Sequence, residues 1–214
     1  MCRFIETVRV EDGCPIRLDC HLERVARTRR QWFGSDTPVD ADLLRHVAGM
    51  TRGVAKLRFV YDEHRLYDLC CAPYTPRRVT SLQMVTADEA EYGLKREDRR
   101  MLETIRTRRG ACDEVLIVKD GCLTDTSYTN IALWDGHRWV SPDTPLLPGT
   151  RRRRLIDSGR LIEARVAVDD LRRYTHIAMV NAMIDLGDLV IPMTHVMLPA
   201  DDCCRPEVTM PGDR

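Results

Sequence analysis

Between Ala55 and Tyr61 apolar and polar residues alternate. Ala55, Leu57, Phe59 and Tyr61 fall on one side, Lys56 and Arg58 on the other, which is the period-two signature of a half-buried strand. Arg65 to Ala72 reads as its hairpin partner, and Phe4 to Val10 as an earlier strand closed by the turn residues Glu11, Asp12 and Gly13. From His21 to Phe33 the period changes to that of a helix: Leu22, Val25, Ala26 and Trp32 recur at helical spacing and Gly34 supplies the stop. Leu43, Leu44, Val47 and Met50 predict a second helix over Asp40 to Arg52, ended by Gly53. Pro73-Tyr74-Thr75-Pro76 then interrupts both patterns, because proline lacks the N–H that a helix or central strand needs. It predicts a boundary between two domains, residues 1–74 and 77–214.

Beyond the boundary, Val79 to Thr86 reads as a strand and Asp98 to Arg108 as a helix with Met101, Leu102 and Ile105 inward. Glu114 to Val118 is a strand before the turn Lys119-Asp120-Gly121, and Asn130 to Trp134 and Arg138 to Val140 flank a turn at Asp135-Gly136. Leu147-Pro148-Gly149-Thr150 leads into a short helix over Arg151 to Ser158, and Ile162 to Val168, Ile177 to Val180 and Leu189 to Ile191 supply further strands. Helices and strands mixed without regular βαβ alternation predict an α+β fold with mainly antiparallel sheets. A frayed polar tail is expected from Asp201 onward.

Composition narrows the classes of function. The chain of 214 residues balances 33 basic against 33 acidic side chains, which gives no global pull toward nucleic acid or an anionic membrane surface. Basic and aromatic residues are not interleaved as a nucleic-acid face would require. No apolar run reaches the roughly 18 residues of a membrane span, and Met1 to Glu6 lacks the layout of a signal peptide. The nine cysteines include the adjacent pairs Cys70-Cys71 and Cys203-Cys204 but no CxxC, and read as reduced thiols of a cytoplasmic protein rather than as disulfides or a zinc site. The six histidines form no HxH or HxxxH pair, and the GxSxG, P-loop and GxGxxG patterns are absent.

One count changes the picture. Lysine occurs only at Lys56, Lys95 and Lys119, so nearly all the positive charge is arginine. The bland cause is a codon bias toward arginine, yet the bias makes each remaining lysine a candidate for chemistry that a permanently protonated guanidinium cannot perform, Schiff-base formation above all. Lys119 occupies a Lys-Asp-Gly turn, the natural place of a solvated lysine. Lys56 lies on the polar face of a strand, which either lines a pocket or meets solvent. Lys95 sits between a strand-like stretch and a helix, and by composition alone reads as a surface lysine. The run Arg151 to Arg154 is either a solvated helix start, unfavourable to the helix dipole, or a phosphate site beside a Gly-Thr turn.

The stretch Glu114 to Ile131 (EVLIVKDGCLTDTSYTNI) closely resembles the signature of pyridoxal-phosphate enzymes of fold type IV, the class IV aminotransferases and 4-amino-4-deoxychorismate lyases. Four further segments resemble family motifs in the same order: Phe4-Ile5-Glu6-Thr7 followed by His21-Leu22-Glu23-Arg24, Lys95-Arg96-Glu97-Asp98-Arg99, Leu147-Pro148-Gly149-Thr150, and Val180-Asn181-Ala182-Met183. The likeness runs from about residue 4 to 192. It implies a fold with the cofactor, pyridoxal 5′-phosphate, in the cleft between two domains.

The resemblance also implies roles. Lys95 would hold the cofactor covalently and then act as the base at the substrate Cα. Asp125 stands where many relatives carry a glutamate beneath the pyridine nitrogen. Arg24 and the backbone at Gly149, Thr150 and Arg151 would grip the phosphate, with contacts from Thr126 and Ser127 and a cofactor-near position for Asn181. Arg58 and Lys56 would meet a substrate carboxylate. A homodimer whose second copy completes the site is implied as well, the more so because relatives carry a further short strand before the segment in which this chain begins. The short chain, the segment Asn181-Ala182-Met183 and the pocket cations favour the lyase of folate biosynthesis, which forms 4-aminobenzoate and pyruvate. A branched-chain or D-amino-acid aminotransferase is the alternative.

Overall fold

The computed structural model describes residues 2–199. The expected tail from Asp201, with Cys203 and Cys204, lies outside the described residues. Two sheets organise the chain. The first contains β1 (Phe4–Glu11), β2 (Cys14–Pro15), β3 (Val54–Tyr61) and β4 (Leu66–Pro73), antiparallel throughout in the order β2-β1-β3-β4. Helices α1 (Leu18–Phe33) and α2 (Ala41–Gly49) lie between β2 and β3 in sequence and cover its apolar face. On that face Phe4, Val8 and Val10 pair across to Tyr61, Leu57 and Ala55, and all are fully buried.

Both helices differ at their ends from the sequence expectation. α1 begins at Leu18 rather than His21, after Arg17 in a left-handed conformation (φ 54°), because Leu18 adds a further buried apolar position one turn before Leu22. It ends as expected at Gly34, whose positive φ of 70° lets its N–H turn back to the carbonyl of Arg30 at 3.1 Å. α2 is shorter than predicted. Asp40 is its cap, with Oδ1 accepting from the N–H groups of Asp42 and Leu43 at 3.0 Å each, and the helix stops at Gly49, where the Thr51 hydroxyl binds the Ala48 carbonyl.

The second sheet is larger. Its strands are β5 (Leu82–Thr86), β6 (Glu114–Lys119), β7 (Cys122–Thr126), β8 (Asn130–Trp134), β9 (Trp139–Pro142), β10 (Ile162–Ala164), β11 (His176–Val180), β12 (Val190–Pro192) and β13 (Val196–Met197). The main path runs β10-β9-β8-β7-β6-β5-β13, with β11 joining β8 to β12. Among the described residues only β5–β6, β9–β10 and β5–β13 pair in parallel, so antiparallel pairing predominates as expected. α3 (Arg100–Thr107) packs Leu102 and Ile105 on one face of β6 with Val115 and Ile117, while Leu116 and Val118 face Leu123 and Ile131 on the other. α4 (Thr150–Asp157) follows Gly149.

Strand β7 is missing from the sequence expectation. Its residues Cys-Leu-Thr-Asp-Thr look half polar, yet all five are buried, because Thr124 and Asp125 satisfy their polar atoms internally. The strand expected over Ile162 to Val168 ends at Ala164, and a 3-10 turn takes over from Val168 to Arg173. The β6–β7 hairpin turns where predicted, on Asp120 (φ 50°) and Gly121 (φ 71°).

Candidate active site

Where the two sheets meet, a cavity of about 620 Å³ draws its lining from both. The first sheet and its helix contribute Thr7, Lys56 and Arg24; the second contributes Asp125 and Ser127, the helix α3 region and the loops that carry Lys95, Gly149 and Asn181. The segment bearing Lys95 crosses between the sheets. Its carbonyl accepts the Ile5 N–H at 2.9 Å, and the Glu97 N–H binds the Arg3 carbonyl at 3.0 Å, so the lysine is strapped to the start of β1. The Tyr92 hydroxyl donates to the Arg96 carbonyl at 2.8 Å and fixes the strap from the other side.

Lys95 is half-buried, and its Nζ has no hydrogen bond or ion pair among the described residues. Burial first, then the neighbouring Arg24 and Arg99, lower its pKa to about 8 despite the opposing Glu6. Lys119 is not the solvated lysine its turn predicted: half-buried, it donates to the Ala90 carbonyl at 2.8 Å, and it stays outside this cavity. Asp125 is buried at the end of β7. Its Oδ1 accepts from the Asn130 amide at 2.7 Å and its Oδ2 from the Leu147 N–H at 2.9 Å. Burial nevertheless pushes its pKa up to about 7, since those neutral donors and the more distant Arg152 do not repay the lost hydration. Gly149 is required here by space: a Cβ would lie 2.1 Å from Asn130 Oδ1, against the amide that holds Asp125.

Arg24 lies on α1 and is buried. Its Nε and Nη2 grip Glu6 in a two-pronged ion pair, both at 2.7 Å, and His21 Nδ1 meets Glu6 Oε2 at 2.7 Å. Burial would raise the Glu6 carboxyl, but Arg24 and the His21 hydrogen bond outweigh it and hold the group well below the usual carboxylate range. His21 Nε2 in turn stands 3.5 Å from the Thr150 hydroxyl at the start of α4. Glu6 and His21 were missed as functional residues. The signal was available in parity: Glu6 shares the β1 face of Phe4, Val8 and Val10, where a charge needs a partner, and His21 and Arg24 are one helical turn apart.

The remaining candidates divide. Ser127 is buried beside the cavity. The Thr126 hydroxyl is committed to its own turn, accepting from the Thr129 N–H at 3.0 Å and bonding the Thr129 hydroxyl at 2.8 Å. Asn181 shapes the wall: Oδ1 accepts from Met183 and Ile184, and Nδ2 donates to the Tyr128 carbonyl. Gly149 and Thr150 line the cavity. The side chain of Arg151 is buried in an ion pair with Asp185, and that of Arg152 reaches Ser141, Pro142 and Glu163, so half of the arginine run braces α4 instead of facing solvent. Lys56 lines the cavity; Arg58, on the same strand face, does not. Three arginines to which sequence reasoning gave no role, Arg77, Arg99 and Arg106, line the cavity from the segment after β4 and from the region of α3. No cluster of histidine, cysteine and carboxylate side chains suited to a metal occurs among the described residues, and no described helix is long and apolar enough to cross a membrane.

Comparison with known proteins defines the class. Residues 79–189, more than half the chain, match the family described as amino-transferase class IV, and the chain belongs to that family. A Haemophilus somnus protein provisionally named a 4-amino-4-deoxychorismate lyase superposes with a TM-score of 0.80 at 29% identity, covering 87% of this chain and 98% of that one. A Mesorhizobium loti protein provisionally named an amino-acid aminotransferase gives 0.74 at 24% identity, over 92% and 100%. A hypothetical aminotransferase from Mycobacterium tuberculosis, in its PLP-bound form, shares the fold at a TM-score of 0.72 and 18% identity, over 91% and 81%. The fold is that of the type IV pyridoxal-phosphate enzymes.

Proposed function

We propose that the cavity takes pyridoxal 5′-phosphate and that the chain is a lyase acting on 4-amino-4-deoxychorismate, releasing 4-aminobenzoate and pyruvate. The observation that carries the cofactor reading is the donor set: an unpartnered amine of lowered pKa, a buried carboxyl and a buried guanidinium line one cavity at Lys95, Asp125 and Arg24. Lys95 would hold the cofactor aldehyde, Asp125 the ring nitrogen, and Arg24, Ser127 and the backbone around Thr150 the phosphate. Bound there, pyridoxal phosphate supplies an electron-accepting ring that makes a substrate Cα–H bond acidic.

The protein's own groups do the rest. With a pKa of about 8, Lys95 Nζ is unprotonated in a useful fraction near neutrality and can take a proton from the substrate Cα and return it. Asp125, held by Asn130 and Leu147, is fixed in place and free to ionise when a cationic nitrogen approaches. The lyase reading is supported by charge: beyond Arg24 and Arg106, which are paired to Glu6 and Glu114, the cavity lining carries Lys56, Arg77, Lys95 and Arg99 against the two carboxyls Glu103 and Asp125. That excess suits a phosphorylated cofactor together with a substrate of two carboxylates better than one with a single carboxylate. A homodimer that completes the site belongs to the same proposal, and sedimentation at micromolar concentration measures it.

The deciding experiment supplies aminodeoxychorismate to the cofactor-loaded enzyme and follows pyruvate, beside a panel of L- and D-amino acids with 2-oxoglutarate. Pyruvate from the first without turnover of the panel is the expected result. Turnover of an amino acid without 4-aminobenzoate would replace the lyase by an aminotransferase.

A further inference from the structure

Arg24, Glu6, His21 and Thr150 form a continuous polar chain that links β1, α1 and α4 across the junction of the sheets. Glu6 is fully buried and His21 nearly so, in a region otherwise packed with aliphatic and aromatic side chains. Such a pair is expensive to bury and needs a reason beyond stability. Its ends supply one. Arg24 spends its Nε–Nη2 edge on Glu6, which fixes the plane of the guanidinium and leaves Nη1 without a partner among the described residues. At the other end His21 Nε2 reaches the first residue of α4, whose opening turn carries N–H groups with no intrahelical partner. Arg24 and Thr150 both line the cavity; Glu6 and His21 lie behind them and do not.

We propose that Glu6 and His21 are positioning residues for an anion, aligning Arg24 and the start of α4 as the two jaws of a single phosphate grip. This rests on the pyridoxal-phosphate reading and adds the parts of the chain that set its phosphate affinity. The ionised Glu6 only accepts, so His21 carries its hydrogen on Nδ1, and the ring is pinned with its second nitrogen toward Thr150. Removing His21 frees the Thr150 hydroxyl and loosens one hold on Glu6; both jaws then lose alignment without losing a contact group.

The test compares pyridoxal phosphate with pyridoxal, which lacks the phosphate, by equilibrium titration of the cofactor-free protein followed by absorbance. For His21→Ala the expected result is a loss of about 10-fold or more in pyridoxal-phosphate affinity, by analogy with groups that orient metal ligands, with pyridoxal affinity unchanged; Glu6→Gln, which also removes a charge acting on Lys95, should weaken pyridoxal phosphate by more than it changes pyridoxal. Thr150→Val should weaken pyridoxal phosphate in the wild-type background and add little once His21 is alanine, because the two act through one path. Inorganic phosphate should compete with pyridoxal phosphate in the wild type and much less in His21→Ala. An equal loss for both ligands, or full additivity of Thr150→Val and His21→Ala, assigns the pair a purely structural role and overturns the proposal. Should His21→Ala not fold, His21→Gln and the Thr150→Val titration carry the same comparison. A wild type that binds neither ligand would instead overturn the cofactor reading, a result distinct from failure of the grip.

Discussion

Glu6 and Asp125 are both buried carboxyls at the junction of the two sheets, and they stand on opposite sides of ordinary carboxylate behaviour. Glu6 is met by a guanidinium and an imidazole and stays ionised. Asp125 is met by an amide and a backbone N–H, and its pKa rises to about 7. Burial is common to both, so the neighbours decide: charged donors repay lost hydration and neutral donors repay only part of it. A fixed charge thereby stands behind the site, and its wall holds a charge that responds to what enters.

On the proposed function Lys95, with its lowered pKa, is the reactive amine, so the largest effect is expected there. Lys95→Arg should keep positive charge and fold but abolish the visible absorbance that pyridoxal phosphate gives with the wild type and that borohydride removes. A band surviving in Lys95→Arg would break the assignment. Next in size is Glu6→Ala, which strands the buried Arg24 charge and should cost about 3–5 kcal/mol of stability in denaturant titration. A cost near zero would erase the difference between the two carboxyls.

Titration sharpens the comparison through opposite signs. Asp125 has its pKa raised from 3.8 to about 7, so the folded, cofactor-free protein binds more protons than the unfolded chain in that window. Its contribution to stability should therefore fall as pH rises from about 4 to about 7, by up to a few kcal/mol. Asp125→Asn should flatten that slope in melting temperatures measured against pH. Glu6, depressed, stabilises above its unfolded value of 4.5 and loses that contribution as pH falls below it. Smaller still is Gly149→Ala, which must displace Asn130 and should cost about 1–3 kcal/mol by overcrowding, with a parallel loss of cofactor affinity. Lys119→Arg should leave absorbance and stability unchanged, because its one bond is to a backbone carbonyl that arginine also reaches.

Elements with a strong period were legible in the sequence. β3 and the core of α1 are read directly because their apolar residues repeat without interruption. β7 was not, because a buried strand whose polar side chains bond inward looks like a loop until the partners are known. At the site, Lys95 and Asp125 were legible through ordered motifs, and the cavity brings both together with Arg24. Arg58 shows the limit of strand parity: it selects the same face as Lys56 but says nothing of how far along that face the cavity extends. Arg77, Arg99 and Arg106 reach the cavity through chain reversals that no local spacing encodes, whereas strand parity pointed to Glu6 as a buried charge and left its His21 partner to the packed helix.

The strap between Lys95 and β1 bears on how the protein is made. The Ile5 and Lys95 backbones bond directly although they are far apart in sequence, and the ribosome delivers the first long before the second. Until that bond closes, Lys95 is an ordinary hydrated amine, no better placed than any other lysine to meet a reactive aldehyde. Its depressed pKa arises only when the newly emerged segment is buried against a sheet and helix that already hold Arg24, with Glu6 opposing the shift. On the proposed role of Lys95, a half-synthesised chain therefore has no amine set apart for the aldehyde to find.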